Sequence, residues 1–241
     1  MRQVIVTGGG TGIGYAIAAS FIESGDRVTI TGRRTDVLEA AAEKLGATPV
    51  AFDASDPDEV RTALGALPNR VDVLVNNAGG NTNRSRTGAA DGDLVGLAAD
   101  WQANLDANLM SAVLVTAALT PRLADHARIV TIGSIAARGS GSGSYGAAKA
   151  AVESWSADLA SELGTRGITS NVVSPGLTVD TEFFRGQLTD ERTARLVAAT
   201  RNGRAGTPDD IAATVRFLAS AGAGHLTGQV IHVNGGAHLG R

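Results

Sequence analysis

QVIVTGGGTGIGYAIAASFIESG, residues 3–25, decides the fold. QVIVT (3–7) is an apolar, β-branched run, the pattern of a strand buried on both faces. YAIAASFIESG (15–25) has helical spacing and ends on a glycine. Between them lies TGGGTGIG (7–14). Gly8, Gly12 and Gly14 let backbone come close to a pyrophosphate and let the helix pack near the sheet. The helix N-terminus offers free N–H groups and the positive end of its dipole to phosphates. A tight turn that holds no ligand is the alternative; the strand before and the helix after weigh against it.

Outward from this stretch, strands and helices alternate. RVTIT (27–31), TPVAFD (48–53), VDVLVNNAG (71–79), ARIVTIGS (127–134), ITSNVVSPG (168–176) and GQVIHVNGG (228–236) read as strands. TDVLEAAAEKLG (35–46) is a helix with a Thr35 cap and a Gly46 stop, and DPDEVRTALGAL (56–67) one with Pro57 near its start. WQANLDANLMSAVLVTAALTPRLA (101–124), YGAAKAAVESWSADLASELG (145–164) and PDDIAATVRFLAS (208–220) are further helices, and residues 80–93 are a polar, glycine-rich loop. This alternation predicts an α/β protein: a single-domain, Rossmann-type doubly wound parallel sheet of about seven strands, with helices on both faces, over residues 1–241. RGSGSGS (138–144) joins a strand to a helix inside this pattern, so it is not an interdomain linker.

Composition narrows the function. Hydrophobic residues are 43% and charged residues 19%, enough apolar material for a large core. Net charge is −3 without a basic block, which argues against nucleic acid as a partner. The chain has no apolar run near the roughly 18 residues of a membrane helix and no signal-peptide pattern at its start, so a cytoplasmic protein without a membrane role is expected. There is no cysteine, and His126, His225, His232 and His238 are scattered without zinc-like spacing; no metal site is expected.

The second strand ends in TITGRR (29–34). An acid there would hold a ribose 2′-hydroxyl, but the place falls to Gly32, followed by Arg33 and Arg34. Guanidinium groups suit a 2′-phosphate, so NADP(H) is preferred over NAD(H); a solvated arginine pair is the alternative. Further on, Tyr145 and Lys149 stand at i and i+4 in YGAAK. A tyrosine of pKa about 10 is a poor proton carrier at neutral pH. An ammonium one helical turn away favours phenolate, and a helix N-terminus adds positive potential. Alone, the pair reads more readily as a helix-start tyrosine and an exposed lysine.

With TGGGTGIG, NNAG (76–79), Asn108 seven residues after Trp101, Ser134 after a strand, YGAAK, SPG (174–176) and GRAGTPDDIA near the end, the chain resembles the short-chain dehydrogenases/reductases over almost its full length. The resemblance implies Tyr145 as general acid/base, Lys149 also on the nicotinamide ribose, Ser134 on the substrate oxygen, and Asn108 holding a water that relays protons to Lys149. It implies cofactor contacts from Gly8, Thr11, Gly12, Ile13 and Gly14, from Asp53 and Ala54 at the adenine, from Asn77, Ala78 and Gly79 along the ribose, and from Pro175, Gly176 and Thr178 at the nicotinamide. Asp53 as a helix cap and PG as a plain turn are the alternatives. The implied substrate is a small carbonyl or alcohol, with 3-oxoacyl thioesters a common role; a homotetramer or homodimer is the implied assembly, and a cofactor-binding regulator without turnover is the rival.

The chain departs from the family pattern in several places. Ser134 to Tyr145 is about two residues short, the deficit falling in RGSGSGS, which leaves Ser140, Ser142 and Ser144 as alternatives to Ser134. The loop after NNAG is longer than usual and carries NRSR (83–86); it is expected to cover one edge of the site or to contact a neighbouring subunit. Thr181 competes with Thr178, and Asn234 replaces an aspartate, a change expected to matter for local structure. Residues 180–205 are expected to form the lid over the substrate, with Phe183 and Phe184 as an apolar wall.

Overall fold

The computed structural model describes residues 1–85, 88–139 and 141–240. Among these, the strands β1 (Gln3–Thr7), β2 (Arg27–Gly32), β3 (Thr48–Ala51), β4 (Val71–Asn76), β5 (Leu123–Ile132), β6 (Thr169–Pro175) and β7 (Val230–Val233) form one sheet. Its order is β3-β2-β1-β4-β5-β6-β7, and every neighbouring pair is parallel. The helices are α1 (Gly12–Glu23), α2 (Thr35–Leu45), α3 (Pro57–Ala63), α4 (Leu94–Leu105), α5 (Ser111–Leu119), α6 (Gly143–Leu163), α7 (Asp190–Ala198) and α8 (Pro208–Leu218).

The sheet is covered on both faces because successive strand residues point to opposite sides. Val4 and Val6 of β1 join Ile17 and Phe21 of α1, Leu38 of α2, and Ile211 and Val215 of α8 in one core. Ile5, between them, joins Val60 of α3, Val115 and Leu119 of α5, and Leu159 and Leu163 of α6 in the other. All three β1 side chains are 0% exposed. Burying each stabilises by about 1.5–3 kcal/mol, so this one short strand anchors both layers.

Local signals set the helix ends. Asp56 accepts from the Asp58 and Glu59 amides with Pro57 in the first turn of α3, and Asp93 accepts from the Gly96 amide to start α4. That cap begins the helix at Leu94 instead of Trp101, where the apolar spacing alone would begin it. A π turn, Asp106–Met110, joins α4 to α5, and the helical run ends in a 3₁₀ turn at Thr120–Arg122 around Pro121, so β5 begins at Leu123 where a helix was expected. The run Leu94–Arg122 is long and apolar enough by composition to cross a membrane, contrary to the sequence expectation. Here it is a helix of the domain: Asn104 and Asn108 are buried in hydrogen bonds, and Val115 and Leu119 lie in the core.

Candidate active site

Because all strands run the same way, their carboxyl ends share one edge. The order reverses there between β1 and β4, where connecting helices leave to opposite faces and open a crevice. A cleft of about 1050 Å³ lies at this edge. Its walls include Gly8, Thr11, Gly12, Ile13 and Gly14 from the glycine loop.

This loop fits a dinucleotide phosphate. No side chain caps α1, and its first turn carries no acid, so its leading N–H groups are left to the cleft. A Cβ on Gly14 would lie 2.2 Å from the Gly8 carbonyl oxygen, a backbone atom, so only glycine lets the helix start this close to the strand end. The loop is tied to β4 through Thr7, a residue the sequence did not single out. Its Oγ1 accepts from the Asn77 and Ala78 amides at 3.0 and 2.9 Å, while Asn77 Nδ2 donates to the Thr7 and Gly8 carbonyls. Asn77, Ala78 and Gly79 thus border the cleft as a turn fixed from below.

The expected 2′-phosphate end is built differently from a free pair of cations. Arg33 lies 3.4 Å from Asp53, and Arg34 makes a 2.7 Å ion pair with Glu182. Asp53 also accepts from the Ser55 amide and hydroxyl. Partial burial raises its pKa, but the Ser55 hydrogen bonds and the Arg33 charge outweigh this and hold the carboxyl below its ordinary value. Asp53 and Ala54 line the cleft beside both arginines.

Ser134, at the end of β5, and Tyr145 and Lys149, on α6, meet in the same cleft. Three glycines with positive φ, Gly139, Gly141 and Gly143 at 76°, 73° and 53°, turn the short connection tightly enough to bring them together. Ser134 Oγ accepts from the Ala136 amide and is hydrogen-bonded to the phenol. Of the alternatives, Ser144 is buried with its hydroxyl accepting from Asn104 Nδ2, Ser142 precedes α6, and Ser140 lies outside the described residues.

The electrostatics differ from the sequence expectation. Burial pushes the Tyr145 phenol up to about 12, against the Ser134 hydrogen bond and the charge of Arg84, which act to lower it. Lys149 was expected to be the cation that lowers it. Burial instead brings the Lys149 ammonium down to about 8, and its Nζ donates to the Ile132 carbonyl at 2.7 Å, 6.0 Å from the phenol ring centre. The Asn108 side chain is engaged within the protein. Its Nδ2 donates to the Gly80 and Asn104 carbonyls and its Oδ1 accepts from the Gly80 amide, so the side chain clamps the turn after β4.

On the far side, Pro175, Gly176, Thr178 and Thr181 line the cleft. Thr181 abuts the glycine loop, with its Cβ 3.4 Å from where a Gly12 side chain would begin, whereas Thr178 is buried and bridged to Gly206. Asn234 packs against Gly176 and accepts from the Gly236 amide, a local structural part as expected. Phe183 and Phe184 lie on a 3₁₀ turn, Glu182–Phe184, flanked by Asp180 and Arg185 at φ of 57° and 48°. Phe183 stands 5.7 Å from the Tyr145 ring.

Residues 8–238 match the family profile described as Enoyl-(Acyl carrier protein) reductase. The chain belongs to the short-chain dehydrogenase/reductase family. It is 34% identical over 247 residues to the 3-oxoacyl-[acyl-carrier-protein] reductase FabG of Escherichia coli K12, covering 99% of this chain and 98% of that protein. Two solved structures superpose closely. One is a blue fluorescent protein from a metagenomic library in complex with NADPH (TM-score 0.87, 31% identity, 99% and 98% of the chains covered). The other is the Pseudomonas aeruginosa RhlG/NADP active-site complex (TM-score 0.85, 31% identity, 99% and 96% covered). The chain is therefore an NAD(P)-dependent oxidoreductase of this family, with the single Rossmann-type sheet such enzymes share.

Two further groups stand at this short-chain dehydrogenase site: Asn104, which sequence reading passed over, and Arg84, within the NRSR loop it placed at the site's edge. Asn104, 0% exposed, donates to Asn83 and Ser144 and accepts from the Thr82 amide, pinning the long loop to α6. Arg84, on that loop, reaches toward the phenol. Both contacts join segments distant in sequence, and neither leaves a local signal.

Proposed function

We propose that the protein is an NADP(H)-dependent oxidoreductase that interconverts a ketone or 3-oxoacyl group and a secondary alcohol, with Tyr145 as general acid/base. The observation that carries this is the convergence of Ser134, the buried Tyr145 phenol and the buried Lys149 in one cleft with the glycine loop. The bound nicotinamide would supply the hydride. The Ser134 hydroxyl orients the carbonyl oxygen, and the Tyr145 O–H, protonated well above neutral pH, donates to the alkoxide as it develops. Lys149, brought down to about 8, trades protons near neutral pH and resupplies the phenol's side of the cleft. A phenol kept neutral serves reduction more readily than oxidation.

The NADP(H) preference is supported by Arg33 and Arg34 beside Asp53 and by the NADPH- and NADP-bound neighbours in structure. Assembly with a second copy is supported by Leu94, Val95, Leu97 and Trp101, which α4 leaves exposed. Loss of NADPH absorbance on a panel of ketones and 3-oxoacyl thioesters tests the reaction. Tyr145→Phe is expected to lower kcat by about 10²–10⁴-fold. Undiminished turnover in that variant would refute the assignment, and an unchanged NADPH-to-NADH ratio in Arg33→Ala would refute the cofactor argument.

A further inference from the structure

Arg84 is a cation without an acid. It makes no ion pair among the described residues, its Nε is buried without a hydrogen-bond partner, and Nη1 has only the Gln187 amide oxygen at 3.3 Å. Its guanidinium lies instead over the rings of Phe183 and Phe184, 5.2 and 5.0 Å from their centres. Arg192 covers Phe184 as well, at 5.6 Å, and also lacks an acidic partner among the described residues. Partial burial, and after it the charge of Arg192, act against the charge on Arg84. The loop that carries Arg84 is held in place by Asn104, so the cation's position is built and not incidental.

We propose that Arg84 is the recognition residue for an oxyanion, carboxylate or phosphate, carried by the carbonyl substrate a few bonds from the reacting carbon. This rests on the oxidoreductase reading above and adds the substrate's charge. Phe183 packs against both the Arg84 guanidinium and the Tyr145 ring, so a substrate at the phenol lies beside the rings that Arg84 covers. The left-handed Asp180 and Arg185 at the two ends of that turn hold it in a strained geometry from which it can be released. What Arg84 loses is a pair of ring-face contacts at a half-exposed site; what it gains is a charge-assisted, forked hydrogen bond, the stronger of the two, for donors that now have no acceptor. Arg192 supplies a second positive charge on the same side.

The test compares two pairs of probes, acetoacetate with ethyl acetoacetate and dihydroxyacetone phosphate with dihydroxyacetone, titrated calorimetrically into wild type, Arg84→Gln and Arg84→Lys, with and without NADP⁺. NADPH affinity, followed by cofactor fluorescence, reports that each variant is folded. In wild type the charged member of a pair is expected to bind about 10–100-fold tighter. Arg84→Gln erases that gap and Arg84→Lys restores part of it. A gap seen with only one pair decides between carboxylate and phosphate. No gap in wild type with either pair, or a gap that survives in Arg84→Gln, overturns the proposal. A gap that follows Arg84 while NADPH is oxidised by none of the four probes leaves the oxyanion site standing and counts against the reductase reading instead.

Discussion

Lys149 Nζ donates to the Ile132 carbonyl oxygen at 2.7 Å, so the α6 lysine is fastened to the end of β5. Burial lowers its pKa from 10.5 to about 8, and the unfolded chain therefore binds more protons between those values. Its contribution to stability rises with pH across that window. Tyr145, raised from 10.0 to about 12, begins to act in the opposite sense above pH 10, because the unfolded phenol then ionises first. Urea unfolding at pH 8 and pH 10 checks this: the rise is expected in wild type and absent in Lys149→Met. Equal pH slopes in the two proteins would rule out a buried, readily neutralised ammonium.

Glu182 competes with any phosphate for Arg34, which it holds at 2.7 Å. Both side chains are more than half exposed, so the pair itself contributes about 0–1 kcal/mol. Glu182→Gln is expected to tighten NADPH binding by up to about fivefold, with little change for NADH, as read by fluorescence titration. Weaker NADPH binding in the variant would show that the acid supports the cofactor site.

Gly14 has no room for a methyl group, since the atom it would strike belongs to the Gly8 backbone. Gly14→Ala is expected to push α1 away from the end of β1, costing about 1–3 kcal/mol in unfolding free energy and at least tenfold in NADPH affinity. Affinity equal to wild type would mean that the helix start does not set the phosphate cradle.

Asp210 closes a capping box with Thr207 at the start of α8 and pairs with Arg204. The Arg204 and Thr207 hydrogen bonds, together with the Arg204 charge, hold its carboxyl well below the ordinary value, against the opposing effect of burial. A depressed carboxylate stabilises above its unfolded pKa and loses that contribution as pH falls. Asp210→Asn is expected to cost about 0.5–2 kcal/mol at pH 7, the range for a helix cap, and progressively less below pH ~4. A cost that does not change with pH would assign the effect to packing.

The strands were legible because their runs are short, apolar and bounded by glycine or polar turns; β1 falls on the expected residues. The glycine loop was legible for the same reason: its geometry is local. Boundaries set by one side chain were harder. Asp93 starts α4 before the apolar spacing does, and Pro121 lets β5 begin inside what reads as helix. At the site, Ser134, Tyr145 and Lys149 were readable from spacing and resemblance, and the structure brings them together. The electrostatics were not. An i, i+4 rule places Lys149 near Tyr145 but says nothing of the Ile132 carbonyl, which approaches from β5, or of Arg84, which arrives from a loop some sixty residues upstream.

The placement of β1 between β2 and β4 bears on how the chain is made. A nascent chain emerging from its N-terminus can satisfy one edge of β1 as soon as β2 appears, but the other stays open until Asn76 has followed. During that interval Val4, Ile5 and Val6 present an unpaired, wholly apolar strand edge, the kind of surface on which chains aggregate. That interval closes before Ser134, Tyr145 and Lys149 have left the ribosome.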